Sequence, residues 1–228
     1  MKYNNPLKYL RSLFSLNRLP KPNIRIHNKP HDIPALKEKN VAQAKTLTDK
    51  DLRKVLNYIA IHKHAARNRA MLLITHWAGM RVGEVSALRI CDVFNDDFSC
   101  KDEIRLSREQ TKGRHARSVF LADKLRRELT TYFATIDRSD TSKPLFSTQK
   151  SCKFSSNSLC QHFFWLYRNA GIDGASSHSG RRGFLSSLSS KSVPLKVLME
   201  LAGHRQAQTT MRYIDVTADM KRAAVELI

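Results

Sequence analysis

The sequence has no continuous run of about 18 apolar residues, and the absence of such a run argues against a transmembrane helix. The basic N-terminus lacks both an apolar core and a small-residue cleavage site, so we do not expect a secretory signal. Cysteine is also scarce, and no C-x-x-C pair or Cys–His combination with metal-ligand spacing occurs. We therefore interpret the cysteines as reduced thiols of a cytosolic protein. They are Cys91, Cys100, Cys152 and Cys160.

Acidic residues are few relative to basic ones. There are 20 Asp and Glu residues against 40 Lys and Arg, which gives a formal net charge of +20. Such a surplus favours a nucleic acid as partner, either DNA or RNA, although a basic protein of the ribosomal type has a similar balance. A membrane surface fits less well, because no basic amphipathic segment carries an aromatic face. The 228 residues suffice for one domain, or for one domain and a short arm.

Residues 1–45 differ in composition from the rest of the chain. They hold five of the seven prolines and ten Lys or Arg residues, against only Asp32 and Glu38. Frequent proline argues against a long helix. We predict a basic N-terminal arm that is partly disordered or carries one short helix around residues 7–16. Such an arm could follow a phosphate backbone, or it could be a disordered tail that improves solubility.

The remaining residues predict a mainly α-helical domain with a small antiparallel β-sheet, an α+β fold, over residues 46–217. Thr48 and Asp51 form an N-terminal capping signature before apolar residues at helical spacing. Ile104 and Val119 belong to alternating segments around a polar, glycine-containing stretch, which is typical of a β-hairpin. Further helices are predicted over residues 65–78, 83–88, 123–136, 179–190, 194–202, 207–214 and 218–228, with another around residues 163–166.

Four short segments carry side chains suited to acid–base or phosphate chemistry. In the first, Arg81 lies at a predicted turn three residues before Glu84, which could hold the guanidinium in place. In the second, Lys112 lies on a glycine-containing hairpin turn, from which it could reach into a groove and release a proton. Taken singly, the first segment also fits a surface ion pair, and the second a solvated basic turn.

The third segment places Arg181 three residues after His178, so that both side chains lie on one face of a predicted helix start. Arginine can donate two parallel hydrogen bonds to a phosphate, and histidine can exchange a proton near neutral pH. The fourth segment contains Gly203, which ends a predicted helix, then His204 and, nine residues later, Tyr213. Alone, these patterns also fit a capping histidine with an exposed arginine, and a tyrosine that only packs.

Together, the order arginine, hairpin lysine, His-x-x-Arg, Gly-His and tyrosine resembles that of the tyrosine recombinases, also called the phage integrase family. The resemblance extends from about Thr46 to about Thr217. It implies the catalytic-domain fold of that family and a reaction that needs no metal, no cofactor and no ATP. In the family, a tyrosine attacks a DNA phosphate and forms a 3′-phosphotyrosyl link, which releases a 5′-hydroxyl.

The resemblance implies a role for each matching residue. Arg81 and Arg181 would clamp the scissile phosphate and neutralise charge in the transition state. Tyr213 would be the nucleophile. Lys112 would protonate the leaving 5′-oxygen.

The two histidines and the carboxylate have supporting roles in the same scheme. His178 would act as general base for the tyrosine or support the phosphate. His204 would hydrogen-bond the phosphate and buttress Tyr213, while Glu84 would orient its neighbours. Four further arginines are predicted to contact DNA: Arg114, Arg182, Arg205 and Arg212.

Two features depart from the family pattern. The family commonly has a histidine directly after the second arginine, whereas this chain has Arg182. Typical members also carry a helical DNA-binding domain before the catalytic domain, whereas here the basic arm of residues 1–45 precedes it. The chain therefore resembles the short members that consist of the catalytic domain alone.

We therefore predict a site-specific DNA recombinase whose four protomers assemble on two DNA sites and exchange strands through a Holliday junction. Residues 218–228 could dock on a neighbouring protomer or pack within their own chain. Accessory DNA-binding proteins and a cytoplasmic, nucleoid-associated location in a prokaryotic, viral or plasmid context fit this prediction, and no membrane association is expected. Two alternatives are a type IB topoisomerase-like enzyme that relaxes any supercoiled DNA, and a DNA-binding regulator that has lost catalysis.

Overall fold

The computed structural model describes residues 43–149 and 151–228, so the predicted basic arm lies almost wholly outside the described residues. The described part consists of helices and one antiparallel sheet of two strands, which confirms the predicted fold class. The strands are β1 (Glu103–Leu106) and β2 (Arg117–Phe120). The helices are α1 (Asp49–Ala60), α2 (Ala65–Trp77), α3 (Val82–Ala87), α4 (Ile90–Val93), α5 (Asp123–Phe133), α6 (Ser156–Asn169), α7 (Ser179–Ser189), α8 (Leu195–Ala202), α9 (Ala207–Met211) and α10 (Ala218–Val225).

The first two helices form for reasons visible in the sequence. At the start of α1, the Thr48 hydroxyl accepts a hydrogen bond from the Asp51 amide at 3.1 Å, and the Asp51 carboxylate accepts one from the Thr48 amide at 3.2 Å. This predicted capping pair satisfies amides that the first turn of a helix leaves without partners. In α2, residues 70–74 are each 1% exposed or less, so this helix runs through the hydrophobic core.

A close approach of α7 to α2 fixes the position of the third predicted segment. Gly180, in the first turn of α7, lies so near Thr75 of α2 that a Cβ atom would overlap the threonine side chain and come within 3.3 Å of its carbonyl carbon. The packing therefore requires the smallest residue at this position. It also sets where Arg181, the next residue, lies relative to the C-terminal end of α2.

The β-hairpin joins the core through one face. Ile104 pairs with Val119, and Leu106 pairs with Arg117. Ile104, Leu106 and Val119 are buried. Lys112 is exposed in the connection between the strands, and β2 contacts α8, so the hairpin lies beside the helix that ends at the fourth predicted segment.

Helix α9 is shorter than the sequence predicts. The pattern over residues 207–214 predicts a helix that carries Tyr213, but the tyrosine lies in the turn after α9. Side chains of α7 explain the difference, because they bind the carbonyls of this turn. Arg182 donates to the Arg212 carbonyl at 2.7 Å, and Ser186 donates to the Tyr213 carbonyl at 2.9 Å. The short helix α4 is likewise absent from the prediction.

A second, small hydrophobic cluster supports the same turn. Leu185 of α7 and Leu198 and Ala202 of α8 form its buried part, and Tyr213 and Ile214 pack against them. Burial of these side chains stabilises the arrangement of α7, α8 and the turn after α9. The cluster thereby joins the helix of the His-x-x-Arg segment to the tyrosine.

The C-terminal helix α10 contributes little to either cluster. None of its residues is buried, and Val225 at its end and Leu227 just beyond it are 67% and 83% exposed. Its first turn is capped by Thr217, whose hydroxyl accepts a hydrogen bond from the Met220 amide at 3.2 Å. Among the described residues, no helix has the length and apolar character needed to span a membrane.

Gly180→Ala is expected to lower the free energy of unfolding by about 1–3 kcal/mol, because an overpacked contact forces neighbouring atoms apart. Urea denaturation of variant and wild type measures the difference. Gly113→Ala is the control, because a Cβ atom there would meet only the His115 ring, at an ordinary 3.6 Å. Equal unfolding free energies for Gly180→Ala and wild type would contradict the described packing of α2 and α7.

Candidate active site

Arg181 lies where the C-terminal ends of α2 and α8 approach α7. The residue is 1% exposed, and its Nη1 and Nη2 atoms donate hydrogen bonds to the carbonyls of Gly79 and Ala202. Nη2 also lies 2.9 Å from Nε2 of His204. Carbonyls at the C-terminal ends of helices lack helical partners and carry partial negative charge, so they stabilise a buried guanidinium.

A second cluster of charges surrounds Glu84 of α3, which is 1% exposed. Arg81 donates to the carboxylate through its backbone amide at 2.7 Å and through Nη1 at 3.0 Å. Arg117 of β2 donates through Nη2 at 2.7 Å and Nε at 3.1 Å. Burial alone would raise the pKa of Glu84, but the hydrogen bonds and charges of Arg117 and Arg81 outweigh it and hold the pKa below its ordinary value. Glu84 thus stays ionised and fixes both arginines.

The end of α8 joins the two clusters. Arg117 donates to the Leu201 carbonyl at 2.9 Å, and Arg81 Nη2 lies 3.4 Å from the Gly203 carbonyl oxygen. Gly203 has a φ of +61°, and a Cβ atom there would lie 2.6 Å from the Arg117 side chain. Glycine is needed on both counts. Three guanidinium groups therefore surround one helix end: those of Arg81, Arg117 and Arg181.

His204 is neutral in this environment. Burial, followed by the positive charges of Arg181 and Arg81, lowers its pKa to about 3. Because Arg181 donates to Nε2, the single proton of the neutral ring lies on Nδ1, which is 2.9 Å from the Thr210 hydroxyl. The two hydrogen bonds fix the ring orientation between α7 and α9.

Tyr213 lies beside this histidine and arginine. Its ring centroid is 5.3 Å from that of His204, and the guanidinium carbon of Arg181 lies 5.7 Å from it. Its amide donates to the Thr210 carbonyl at 2.9 Å, and Ser186 holds its carbonyl. Within the described residues, its hydroxyl has no hydrogen-bond partner. The backbone of the tyrosine is therefore held in place, while its hydroxyl is not bound by the described residues.

His178 and Lys112 lie close to the same charges. His178 directly precedes α7, and partial burial, followed by the positive charges of Arg181, Lys112 and Arg81, lowers its pKa. Lys112 is exposed in the hairpin turn, whose residues line a cavity together with Arg81. This cavity of about 230 Å³ opens between the hairpin turn and the end of α8. The structure thus brings the six predicted catalytic residues to one region.

The four arginines predicted to contact DNA fall into two groups. Arg114, Arg205 and Arg212 are exposed, and Nη2 of Arg205 lies 3.4 Å from Nδ1 of His115 in the hairpin. Arg182 is instead 6% exposed, and each of its guanidinium nitrogens donates to a protein oxygen. A guanidinium occupied in this way does not face DNA, which corrects the prediction for Arg182.

Arg117 is absent from the site predicted from the sequence, although a signal for it exists. Arg117 lies two residues before Val119 in β2, so both side chains point to the same face of the strand. Val119 is buried, and Leu106, which pairs with Arg117, is buried as well. An arginine on an inward face needs a charged or polar partner, and Glu84 supplies it.

The site as a whole carries excess positive charge. Of the three guanidinium groups around the end of α8, those of Arg81 and Arg117 share the Glu84 carboxylate, and that of Arg181 pairs with no carboxylate within the described residues. Guanidinium groups that the protein already holds in place can donate hydrogen bonds to the oxygens of a tetrahedral anion such as a phosphodiester. In the part of the chain that the structure describes, no group of three or more His, Cys, Asp or Glu side chains is placed to hold a metal ion.

Residues 45–220, more than half of the chain, match the sequence model described as the phage integrase family. The chain belongs to the phage integrase family. The matched range contains Arg81, Lys112, Arg181 and Tyr213, and it confirms the resemblance drawn from the order of these residues in the sequence.

Curated relatives carry recombinase names. The chain is 29% identical over 186 residues to tyrosine recombinase XerA of Pyrococcus furiosus, an alignment that covers 80% of this chain and 61% of the relative. It is 25% identical over 152 residues to tyrosine recombinase XerC of Myxococcus xanthus, and this alignment covers 66% of this chain and 51% of the relative. The chain therefore spans between half and two thirds of the length of these relatives.

Solved structures share the fold. The crystal structure of XerA recombinase gives a TM-score of 0.65 over 80% of this chain and 64% of that chain, at 20% identity. XerH site-specific recombinase bound to palindromic difH substrate, in a post-cleavage complex, gives 0.62 over 79% and 51%, at 22% identity. This likeness confirms the predicted fold of a tyrosine recombinase catalytic domain.

Glu84→Gln is expected to lower the free energy of unfolding by about 3 kcal/mol, because it removes a buried carboxylate that two arginines share. The control is Asp123→Asn, whose carboxylate is 80% exposed and pairs with Arg126. Loss of that exposed pair should cost less than about 1 kcal/mol. Urea denaturation at neutral pH measures both variants. Equal losses of unfolding free energy would contradict the stabilising role assigned to Glu84.

The same carboxylate predicts a pH dependence. The pKa of Glu84 in the folded protein is below its ordinary value of 4.5, so the stability it contributes is present above pH 4.5. That stability is lost as the pH falls through the lowered pKa of the folded state. The unfolding free energy of the wild type should therefore fall more steeply below pH 4.5 than that of Glu84→Gln.

Proposed function

We propose that this chain is the catalytic part of a site-specific DNA recombinase, which cleaves and rejoins DNA through a 3′-phosphotyrosyl link at Tyr213. The convergence of Arg81, Arg181, His204 and Tyr213 at one positively charged site carries the proposal. The names of the relatives support it, since they are tyrosine recombinases. Double-stranded DNA that carries a specific recombination site is the proposed substrate.

In this mechanism, Arg81 and Arg181 bind the non-bridging oxygens of the scissile phosphate. Fixed positive charges stabilise the negative charge that develops in the pentacovalent transition state. Glu84 already holds Arg81, and two helix-end carbonyls already hold Arg181, so little reorganisation is needed when DNA binds. Nε of Arg181 is buried and has no hydrogen-bond partner within the described residues, so a phosphate oxygen that reaches it would satisfy a donor that the chain leaves unpaired.

Cleavage transfers two protons, forms one bond to phosphorus and breaks another. The Tyr213 oxygen bonds to phosphorus as the bond from phosphorus to the 5′-oxygen breaks. His178 takes the phenol proton, because its lowered pKa keeps the imidazole neutral near neutral pH. Lys112 gives a proton to the leaving 5′-oxygen. The phosphotyrosyl bond retains the energy of the phosphodiester, so rejoining by a 5′-hydroxyl requires no ATP.

His204 acts through its neighbours rather than as a proton donor. Its Nε2 accepts from Arg181 and its Nδ1 donates to Thr210, so the ring has no proton for the phosphate in this arrangement. It orients the guanidinium and packs beside the Tyr213 ring. The phosphate hydrogen bond expected from the sequence would require the proton to move to Nε2.

The exposed arginines extend the positive surface beyond the phosphate site. Arg114 and Arg205 flank the hairpin turn, and Arg212 directly precedes Tyr213. We assign them to contacts with the DNA backbone, which supply affinity without reading sequence. If the host is a prokaryote, we expect the protein to be cytoplasmic and associated with the nucleoid.

Tyr213→Phe is expected to retain DNA binding and to abolish the covalent adduct, because only the nucleophilic oxygen is removed. The measurement uses a pool of nicked duplexes with randomised sequence, which traps the adduct whatever the target sequence is. Tyr58→Phe is the control, since Tyr58 of α1 stacks on His62, with ring centroids 3.9 Å apart, and takes no part in the site.

Three outcomes of this measurement separate the possible functions. Absence of an adduct with wild type, under conditions where DNA binds, would contradict the enzyme and favour a regulator without catalysis. An adduct on sequences of every kind, with relaxation of any supercoiled plasmid, would favour the topoisomerase alternative. An adduct restricted to one sequence supports the recombinase.

We also propose that four protomers assemble on two DNA sites and that α10 docks on a neighbouring protomer. The helix has no buried residue, and Val225 at its end and Leu227 just beyond it are exposed apolar side chains. Deletion of residues 218–228 should therefore reduce assembly on trapped DNA, as measured by analytical ultracentrifugation, while the free protein stays folded. Unchanged assembly would show that α10 has no role between protomers.

A further inference from the structure

Arg182 is the buried guanidinium that the proposed phosphate chemistry leaves unexplained. Its side chain is 7% exposed and pairs with the Asp215 carboxylate at 2.9 Å. Nε donates to the Thr46 hydroxyl at 3.1 Å, and Nη1 donates to the Gln43 side-chain oxygen at 3.0 Å. Thr46 closes the network by donating to the second Asp215 oxygen at 2.5 Å. One arginine thus connects α7, the first described residues and the segment after α9.

The network holds the chain on both sides of the nucleophile. Arg182 donates to the carbonyl of Arg212, which directly precedes Tyr213, and its ion pair binds Asp215, two residues beyond. Ser186, one turn further along α7, donates to the Tyr213 carbonyl at 2.9 Å. These contacts replace the helical hydrogen bonds that would otherwise continue α9 through this segment.

The same helix carries the phosphate-binding arginine. Arg181 and Arg182 are adjacent in α7, and the first turns toward the site while the second turns toward the segment of Tyr213. A rigid helix therefore sets the distance between a phosphate ligand and the nucleophile. Attack on phosphorus depends strongly on this distance, since a displacement of about 1 Å can cost about 100-fold in rate.

We propose that Arg182 and Asp215 are positioning residues that hold the nucleophile Tyr213 in register with Arg181 within its own chain. The inference rests on the proposed function. Arginine suits this role because its five fixed donors reach several acceptors at once, whereas lysine offers a single point charge. Asp215 is 53% exposed, so a substitution there can break the network without creating a cavity in the core.

The first test measures the mobility of the segment without DNA. Asp215→Asn removes the charge but keeps the size of the side chain, and it should increase hydrogen exchange over residues 207–217. Exchange over α2 should stay unchanged. Asp137→Asn is the matched control, because Asp137 is 64% exposed and pairs with Lys143 at the same distance of 2.9 Å. Unchanged exchange over residues 207–217 in Asp215→Asn would overturn the proposal.

The second test measures cleavage at saturating DNA with trapped substrates. Asp215→Asn should cleave about 10- to 100-fold more slowly than wild type or Asp137→Asn, with the same DNA affinity, at a temperature at which each variant is folded. Arg182→Lys, which keeps the charge but loses the fork, should show a similar loss. A 5′-sulfur leaving group, which needs no proton, should relieve the defect of Lys112→Ala but not that of Asp215→Asn.

The two proposals fail in different ways. No adduct with wild type overturns the proposed function. An adduct that forms at the same rate with wild type and Asp215→Asn overturns only the positioning role. A slower rate also contradicts positioning if it follows from lost DNA affinity, from unfolding at the assay temperature, or from a defect that the sulfur leaving group relieves.

Discussion

A buried guanidinium, that of Arg181, is the constraint on which the candidate site depends. Removal of this charge from water is costly unless polar partners compensate it. The partners are the carbonyls of Gly79 and Ala202, at the ends of two helices, and the neutral ring of His204. The chain reaches this arrangement only because α7 approaches α2 at Gly180, which leaves no space for a side chain. Fold and charge are therefore determined together.

The charges around Arg181 connect its burial to the proposed function. Glu84 neutralises one of its two arginine partners at most, and no carboxylate within the described residues pairs with Arg181. Burial, together with the remaining positive charge, lowers the pKa of His204 and His178, and the same charge leaves the site in need of an anion. In the proposed reaction, a phosphodiester supplies that anion and Tyr213 is the nucleophile beside it. The structure thus links a stability problem, the buried cation, to a proposed reaction.

Much of this could be predicted from the sequence, because the relevant signals are local. The capping pair of Thr48 and Asp51, the apolar run in α2 and the hairpin depend on neighbours within a few residues. The order of the site residues was equally visible. The end of α9 and the burial of Arg182 were not, since both depend on contacts between residues far apart in the chain. Arg117 was accessible in principle, as a charge on the inward face of β2.

Mass spectrometry of the peptide that remains attached to trapped DNA tests the central claim most directly. Trypsin should release residues 213–221, since Arg212 and Lys221 border this peptide. After nuclease digestion, we expect a nucleotide joined to the Tyr213 oxygen through its 3′-phosphate. A nucleotide on any other residue, or a 5′-phosphate link, would contradict the assignment of Tyr213 and the geometry built around Arg181.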